Sequence, residues 1–175
     1  HSWTSQFEAF ETLMNAFESR GFQCFLRIHP NLSTKDHACF TREFAGLKNL
    51  VANHPDLVVY WHDDAKSSYT LLEECNGVVV WDSTIGLEAS SRGIPVWTCA
   101  ASYYGLIADT RQVLGIEDLH PNTLDLWNVD SFQAKRFIAC TVLRDLQLTT
   151  DSQVWASWNL SQPPLIARLS TFVHS

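Results

Sequence analysis

The 175-residue sequence contains few charged residues, and few of those are basic. Lys and Arg number 12 against 19 Asp and Glu, so the formal net charge is −7. A protein that binds nucleic acid or an anionic membrane through its charge needs a broad basic surface. We therefore expect no nucleic-acid partner.

The sequence also lacks a long hydrophobic run. Its longest apolar stretch, residues 57–61, is far shorter than the roughly 20 residues that a transmembrane helix needs. No basic and then apolar leader opens the chain. We expect no transmembrane segment and a cytoplasmic location, with any contact with the inner membrane peripheral and made through the full-length protein.

Cysteine pairs and common catalytic motifs are missing as well. The five cysteines, an odd number with no CxxC spacing, favour reduced structural thiols over a disulfide framework or a zinc cage. There is no GxSxG elbow and no Gly-rich dinucleotide or P-loop fingerprint. Asp63 and Asp64 lie beside His62, but no other part of the sequence supplies residues that would complete a metal site with them. We interpret them as a solvated loop and expect no metal.

What the sequence does contain is a regular alternation of helical and strand patterns, with 46% apolar residues, enough for one domain with a sizeable core. A helix with an apolar stripe begins at Ser5 and stops at Gly21, and a second begins at Ser33 or Thr34. The pattern predicts strands at 22–28, 57–61, 77–81 and 95–98, and further helices at 66–75, 84–92 and 132–146.

Near-continuous apolar strands separated by helices are typical of a parallel sheet with right-handed crossovers and helices on both faces. We therefore predict an α/β protein with a Rossmann-like sheet. The main domain is expected to span residues 1–147. A C-terminal extension, residues 148–175, is expected to pack on the same domain and to add one short helix.

In a sheet of this kind, ligands bind beyond the carboxyl ends of the strands. Arg27 and His29 end the first predicted strand and offer a cation and a hydrogen-bonding ring to an anionic ligand. A surface charge and a satisfied loop histidine are an equally good interpretation, because His-Pro pairs recur at His54 and His120.

The loop after the strand at 77–81 offers a stronger candidate. Ser83 and Thr84 precede and open a helix, where hydroxyls and free backbone N–H groups together form a phosphate site. Glu88 lies one turn further on the same helix face, where it suits ribose hydroxyls. Ser68 lies at the start of the preceding helix, from which we expect it to reach the same cleft. The structural alternative is that Ser83 or Thr84 only caps the helix and that Glu88 favours its positive end.

These segments resemble a known family. RIHPN at 27–31, SSYTLLEECNGVVVWDSTIGLEASSRGIPVW at 67–97, and the following Ser102 and Tyr103 are similar to the C-terminal, donor-binding half of GT-B glycosyltransferases. The similarity is greatest to the glycosyltransferases of bacterial capsular and surface polysaccharide synthesis. It implies one half of a GT-B fold, with residues 1–147 as a nucleotide-sugar-binding domain and a nucleotide-sugar donor as the partner.

The resemblance also implies roles for single residues. His29, Ser83 and Thr84 would hold the phosphate and nucleotide of the activated sugar, and Glu88 would face the ribose. Arg27 and the helix dipole would help to neutralise the phosphate without a metal or another cofactor. The identity of the nucleotide and of the sugar stays open.

The chain departs from the family pattern in several respects. Asp82 stands where such enzymes often have a small residue, and its carboxylate would repel a phosphate unless it points into the fold. The family's domain usually begins with a strand, whereas this chain begins at the first helix. A GT-B enzyme also needs an N-terminal domain for the acceptor, which we expect to lie outside this chain. We therefore expect a fragment that is inactive alone, whose catalytic residues are unknown.

The candidate site has a testable geometry. We predict that His29 and Ser83 face one crevice, with their strands about 5 Å apart if they pair directly and about 10 Å apart if another strand intervenes. Two other functions remain open. One is half of a non-hydrolysing nucleotide-sugar epimerase, and the other is a non-catalytic, flavodoxin-like binding or regulatory module.

Overall fold

The computed structural model describes residues 2–29, 32, 34, 36–149 and 169–174. The predicted alternation of helices and strands is confirmed. In chain order the elements are α1 (Gln6–Glu18), β1 (Gln23–Ile28), α2 (His37–Asn53), β2 (Val58–Tyr60), α3 (Ser68–Glu74), β3 (Gly77–Val80), α4 (Thr84–Ser91), β4 (Val96–Thr98), β5 (Arg111–Gln112), α5 (Ser131–Thr149) and β6 (Leu169–His174). Short 3-10 turns at Ile116–Asp118 and Pro121–Leu124 connect β5 to α5.

The limits of α1 follow from its capping residues. The Ser5 hydroxyl accepts a hydrogen bond from the Glu8 N–H at 3.2 Å, as the sequence predicted for an N-cap. Gly21 follows the end of the helix with a φ of +85°. A glycine adopts this left-handed conformation without the steric cost that a Cβ would bring, so the chain turns sharply into β1.

The start predicted for α2 was wrong. The helix begins after Asp36, whose carboxylate accepts a hydrogen bond from the Cys39 N–H at 2.9 Å. Thr34 lies before the helix in a 3-10 turn, and Ser33 lies outside the described residues. Asp is as good an N-cap as Ser, and its negative charge also favours the positive end of the helix.

The six strands form one sheet in the order β2-β1-β6-β3-β4-β5. β1 runs parallel to β2, and β3, β4 and β5 run parallel to one another. β6 lies between β1 and β3 and is antiparallel to both, so the five other strands share one direction. The predicted Rossmann-like α/β fold is confirmed, with one antiparallel strand inside an otherwise parallel sheet.

Helices cover both faces of the sheet. On one face, α1 and α2 pack over Leu26, Val79 and Trp97. On the other face, α3 and α4 pack over Val78 and Val80, and α5 packs on α4. These five strand side chains are fully buried. Burial on both faces explains why β3 is apolar throughout instead of alternating between apolar and polar residues.

The winding of the chain reverses between β1 and β3. From β1 the chain passes through α2 to β2 on one face, and from β3 it passes through α4 to β4 on the other face. In α/β sheets such a reversal opens a crevice at the carboxyl ends of the two strands, and ligands bind there. β6 occupies the position between these strands.

β6 was not predicted, because a short helix was expected in the C-terminal extension. Residues 150–168, where that helix was expected, lie outside the described residues. The proposed boundary between residues 147 and 148 falls within α5, which ends at Thr149. The division into a main domain and an extension stays a prediction.

Two further expectations concern membranes and thiols. Within the described ranges, no helix is long and apolar enough to cross a membrane. All five cysteines are free, as expected. Burial raises the pKa of both Cys24 and Cys75 to about 12, which keeps these thiols protonated and unreactive at neutral pH.

Candidate functional site

One row of paired residues crosses the sheet at the carboxyl ends of its parallel strands. From the β2 edge, the row consists of Tyr60, Arg27, Ser170, Val80, Thr98 and Gln112. Arg27 in β1 and Val80 in β3 both pair with Ser170, so they lie two strand spacings apart, about 10 Å. The carboxyl ends of β1 and β3 are therefore level with each other on one edge of the sheet.

His29 and Ser83 follow these two strand ends. His29 comes directly after β1, and Ser83 comes just after β3, where it precedes α4. The structure places both residues at the same edge of the sheet. Because β6 lies between β1 and β3, the strand spacing is the wider of the two predicted, about 10 Å. This is the placement that a shared crevice requires. Contact of either side chain with a ligand stays a prediction.

The start of α4 differs from the other helix starts. Ser83 occupies the N-cap position with an extended backbone (φ −108°, ψ 139°), and its side chain is buried. Among the described residues its hydroxyl makes no capping hydrogen bond, unlike those of Ser5 and Ser67. The first N–H groups of a helix have no partner within the helix, and here the N-cap side chain does not supply one.

The Ser83 carbonyl oxygen, in contrast, is held by two donors. The hydroxyl of Tyr104 donates to it at 2.7 Å, and the N–H of Gly86 donates to it at 3.0 Å. Tyr104 follows β4 and is fully buried. The first turn of α4 is therefore fixed through its backbone, whereas the Ser83 hydroxyl takes no part in capping.

Arg27 was predicted to face an anionic ligand, but in the structure its guanidinium forms hydrogen bonds with backbone carbonyl groups. The side chain is buried, and Nη1 donates to the carbonyl oxygens of Tyr60, at 3.3 Å, and of Trp61. Burial lowers the pKa of Arg27, and the charges of Asp64 and Asp63 partly offset this effect. Arg27 thus joins the end of β1 to the end of β2, and any contact with phosphate stays a prediction.

Glu88 is engaged by the neighbouring helix. The Glu88 carboxylate faces the hydroxyl of Tyr69 in α3, and interaction with this carboxylate is the main cause of the raised pKa of Tyr69. The Arg92 guanidinium lies over the Tyr69 ring, 5.1 Å from its centre. Glu88 therefore links α4 to α3 in this structure, and its predicted contact with ribose stays untested.

The remaining predicted residues lie at the starts of the two helices on this face. Ser68 is the first residue of α3 and is half-buried, while the preceding Ser67 caps the helix. Thr84 is the first residue of α4 and is exposed. Asp82 is half-buried between β3 and α4.

The loop after β2 matches its interpretation as a solvated turn. Asp63 and Asp64 are exposed, and the Asp64 carboxylate accepts a hydrogen bond from the Trp61 N–H at 2.7 Å. In the part of the chain that the structure describes, no three His, Cys, Asp or Glu side chains are grouped to hold a metal ion. The expectation that the ligand needs no metal stays a prediction.

Sequence reasoning missed Tyr104. The segment after β4 shows no clear period, and a tyrosine there has no local signal that would link it to a helix start 21 positions earlier. A weak signal exists in Gly86. A glycine in the first turn of a helix is unfavourable unless another group approaches it closely.

Comparison with known proteins identifies the family. A family model described as capsule polysaccharide biosynthesis protein matches residues 1–122 of the 175, a range that includes every predicted ligand residue. No curated protein and no solved structure matches the chain. The chain therefore belongs to the capsule polysaccharide biosynthesis protein family, which gives it a role in surface polysaccharide synthesis.

Proposed function

We propose that this protein binds a nucleotide-activated sugar at the carboxyl edge of its sheet, as the donor-binding domain of a glycosyltransferase. The start of α4 carries the proposal. Ser83 stands at the N-cap, yet its hydroxyl bonds no N–H of the helix. The Gly86 N–H is bonded to the Ser83 carbonyl, so the Ser83 hydroxyl and the N–H groups of Thr84 and Ile85 are left for an anion at the edge where α/β sheets bind ligands.

The phosphate is assigned to this helix start. A helix N-terminus carries about half a positive elementary charge, and its N–H groups point toward an anion placed there. The exposed hydroxyl of Thr84 is a further donor in the same turn. A diphosphate at this position exchanges hydrogen bonds with water for hydrogen bonds to fixed donors, which favours binding.

The crevice between β1 and β3 supplies the second anchor. The two strand ends are about 10 Å apart, a gap that a nucleoside diphosphate bridges. His29 lies at the β1 end of this gap and offers an imidazole N–H to a phosphate or to the nucleotide base. We assign the nucleotide to the span between His29 and the first turn of α4.

Binding in this way also prepares the donor for reaction. Glycosyl transfer breaks the bond between the anomeric carbon and a phosphate oxygen, and negative charge develops on that oxygen as the nucleotide leaves. Fixed N–H donors and the α4 dipole stabilise this charge without a metal. The base that deprotonates the acceptor is not assigned to any residue of this chain, and the acceptor domain is expected to come from the full-length protein.

A second candidate function is a non-catalytic binding module. Apart from β6, the strand order is β2-β1-β3-β4-β5, which is the order of flavodoxin-like domains. Such a module would use the same edge of the sheet to bind a small ligand without transferring a sugar. The third alternative, half of a nucleotide-sugar epimerase, has no comparable observation in its favour.

Calorimetric titration with UDP, CMP, CDP and GDP tests the proposal. A clear preference for one nucleotide supports it, and no binding of any of the four contradicts it. Ser83→Ala combined with Thr84→Ala should weaken the preferred nucleotide by about 1–3 kcal/mol. The matched control is Ser91→Ala, which removes a hydroxyl bonded to the Glu88 carbonyl at the other end of α4. The control should leave the affinity unchanged.

A further inference from the structure

We propose that Tyr104 is a positioning residue that orients the first peptide group of α4 toward the anionic ligand. The inference rests on the proposed function, because it concerns the same helix start. Tyr104 is fully buried, and its hydroxyl donates to the Ser83 carbonyl oxygen at 2.7 Å. It does not reach the ligand itself, and it acts through the backbone of Ser83 and Thr84.

The geometry of the peptide bond explains the effect. In a planar trans peptide, the C=O and N–H groups point in opposite directions. The Ser83 carbonyl points toward the buried Tyr104 hydroxyl, so the Thr84 N–H of the same peptide group points away from that hydroxyl. Fixing the carbonyl therefore also fixes the direction of the first N–H of α4. A donor held in advance binds an anion without first losing rotational freedom.

Tyr104 is itself held in place. Its ring packs in a small buried cluster with Leu87 from α4 and with Ala108 and Ala134. The cluster connects the loop after β4 to both α4 and α5. Because the ring is packed on several elements, its hydroxyl has little freedom to follow the Ser83 carbonyl if that carbonyl moves.

Gly86 shows how closely the two elements approach. A Cβ on Gly86 would lie 2.3 Å from the Tyr104 hydroxyl oxygen, 3.2 Å from ring atom Cζ, and 3.0 Å from a methyl group of Val80. The first turn of α4 is thus held between β3 and the Tyr104 ring. The glycine leaves room for the hydroxyl at the position from which it reaches the Ser83 carbonyl.

The first test needs no ligand. Tyr104→Phe removes the hydroxyl and keeps the ring, so we expect the amide NMR signal of Thr84 to shift more than it does in Tyr103→Phe, the same change in the adjacent, exposed tyrosine. Gly86→Ala should unfold at a lower urea concentration than the unmodified protein. Part of this loss should be recovered when Tyr104→Phe is added, because the closest clash is with the hydroxyl. An unchanged Thr84 signal together with additive effects would overturn the proposal.

The second test uses inorganic pyrophosphate as the probe. We expect Tyr104→Phe to raise its dissociation constant about threefold to tenfold, and Tyr103→Phe to leave it unchanged. A purely structural role for Tyr104 would lower stability without changing the affinity of the folded protein, and that result would overturn the positioning role alone. If the unmodified protein binds no pyrophosphate, the preferred nucleotide takes its place as the probe. If the protein binds neither pyrophosphate nor any of the four nucleotides, the proposed function and the positioning role both fail.

Discussion

Alanine substitutions at the N-cap serines of α3 and α4 should separate stability from binding. The Ser67 hydroxyl accepts a hydrogen bond from the Thr70 N–H at 3.1 Å, and removing such a cap costs about 0.5–2 kcal/mol. Ser83 has the same position on α4 but makes no capping hydrogen bond. Ser83→Ala should therefore change the free energy of unfolding by less than about 0.5 kcal/mol.

These free energies convert into measurable shifts. In a protein of this size, about 1 kcal/mol corresponds to a change in Tm of roughly 2–4 °C. Urea denaturation followed by circular dichroism gives the free energies, and tryptophan fluorescence on heating gives Tm. The affinity for the preferred nucleotide should show the reverse order, with Ser83→Ala weakening binding and Ser67→Ala leaving it nearly unchanged.

The reasoning fails if Ser83→Ala destabilises the protein as much as Ser67→Ala does. That result would mean that the Ser83 hydroxyl caps α4 in solution. The structural alternative for this serine would then be correct, and the observation that carries the proposed function would be lost.

Further predictions concern thiols, the central strand and activity. Alkylation near pH 8, followed by mass spectrometry, should modify the exposed Cys140 and spare Cys24 and Cys75, because burial raises the pKa of each of these two thiols to about 12. Rapid labelling of Cys24 and Cys75 would contradict the fold. Thr171→Pro should destabilise the protein by about 1–3 kcal/mol in urea, because β6 pairs on both sides, and an unchanged midpoint would refute that pairing. With nucleotide-sugars and candidate acceptors, this chain alone should give no product by mass spectrometry, because closure of a two-domain cleft supplies about 7–11 kcal/mol of barrier reduction. Multiple turnovers would overturn the half-enzyme interpretation.

The sequence predicted the elements that depend on local pattern. The apolar strand β3 and the helices around it follow from hydrophobic period and caps, because burial on both faces leaves a continuous apolar run. The position of Ser83 just before α4 also follows from the sequence. Its lack of a capping bond does not, since this depends on the orientation of one hydroxyl in three dimensions.

Other features were outside the reach of local patterns. β6 takes its place through pairing with β1 and β3, which are distant in sequence, and β-structure of this kind depends on tertiary context. Arg27 at a strand end was correctly predicted to lie at the carboxyl edge. That its guanidinium donates to the Tyr60 and Trp61 carbonyls became visible only once β1 and β2 were placed side by side.

The most direct test of the central claim is a crystal structure of this chain with the nucleoside diphosphate that it binds best. We predict the diphosphate at the first turn of α4, within hydrogen-bond distance of the Thr84 N–H, and the nucleoside extending toward His29. A different cavity, of about 570 Å³, lies near the amino ends of β1 and β2, between Asn15, Asn53 and His54. Density for the nucleotide in that cavity, with none at α4, would contradict the account.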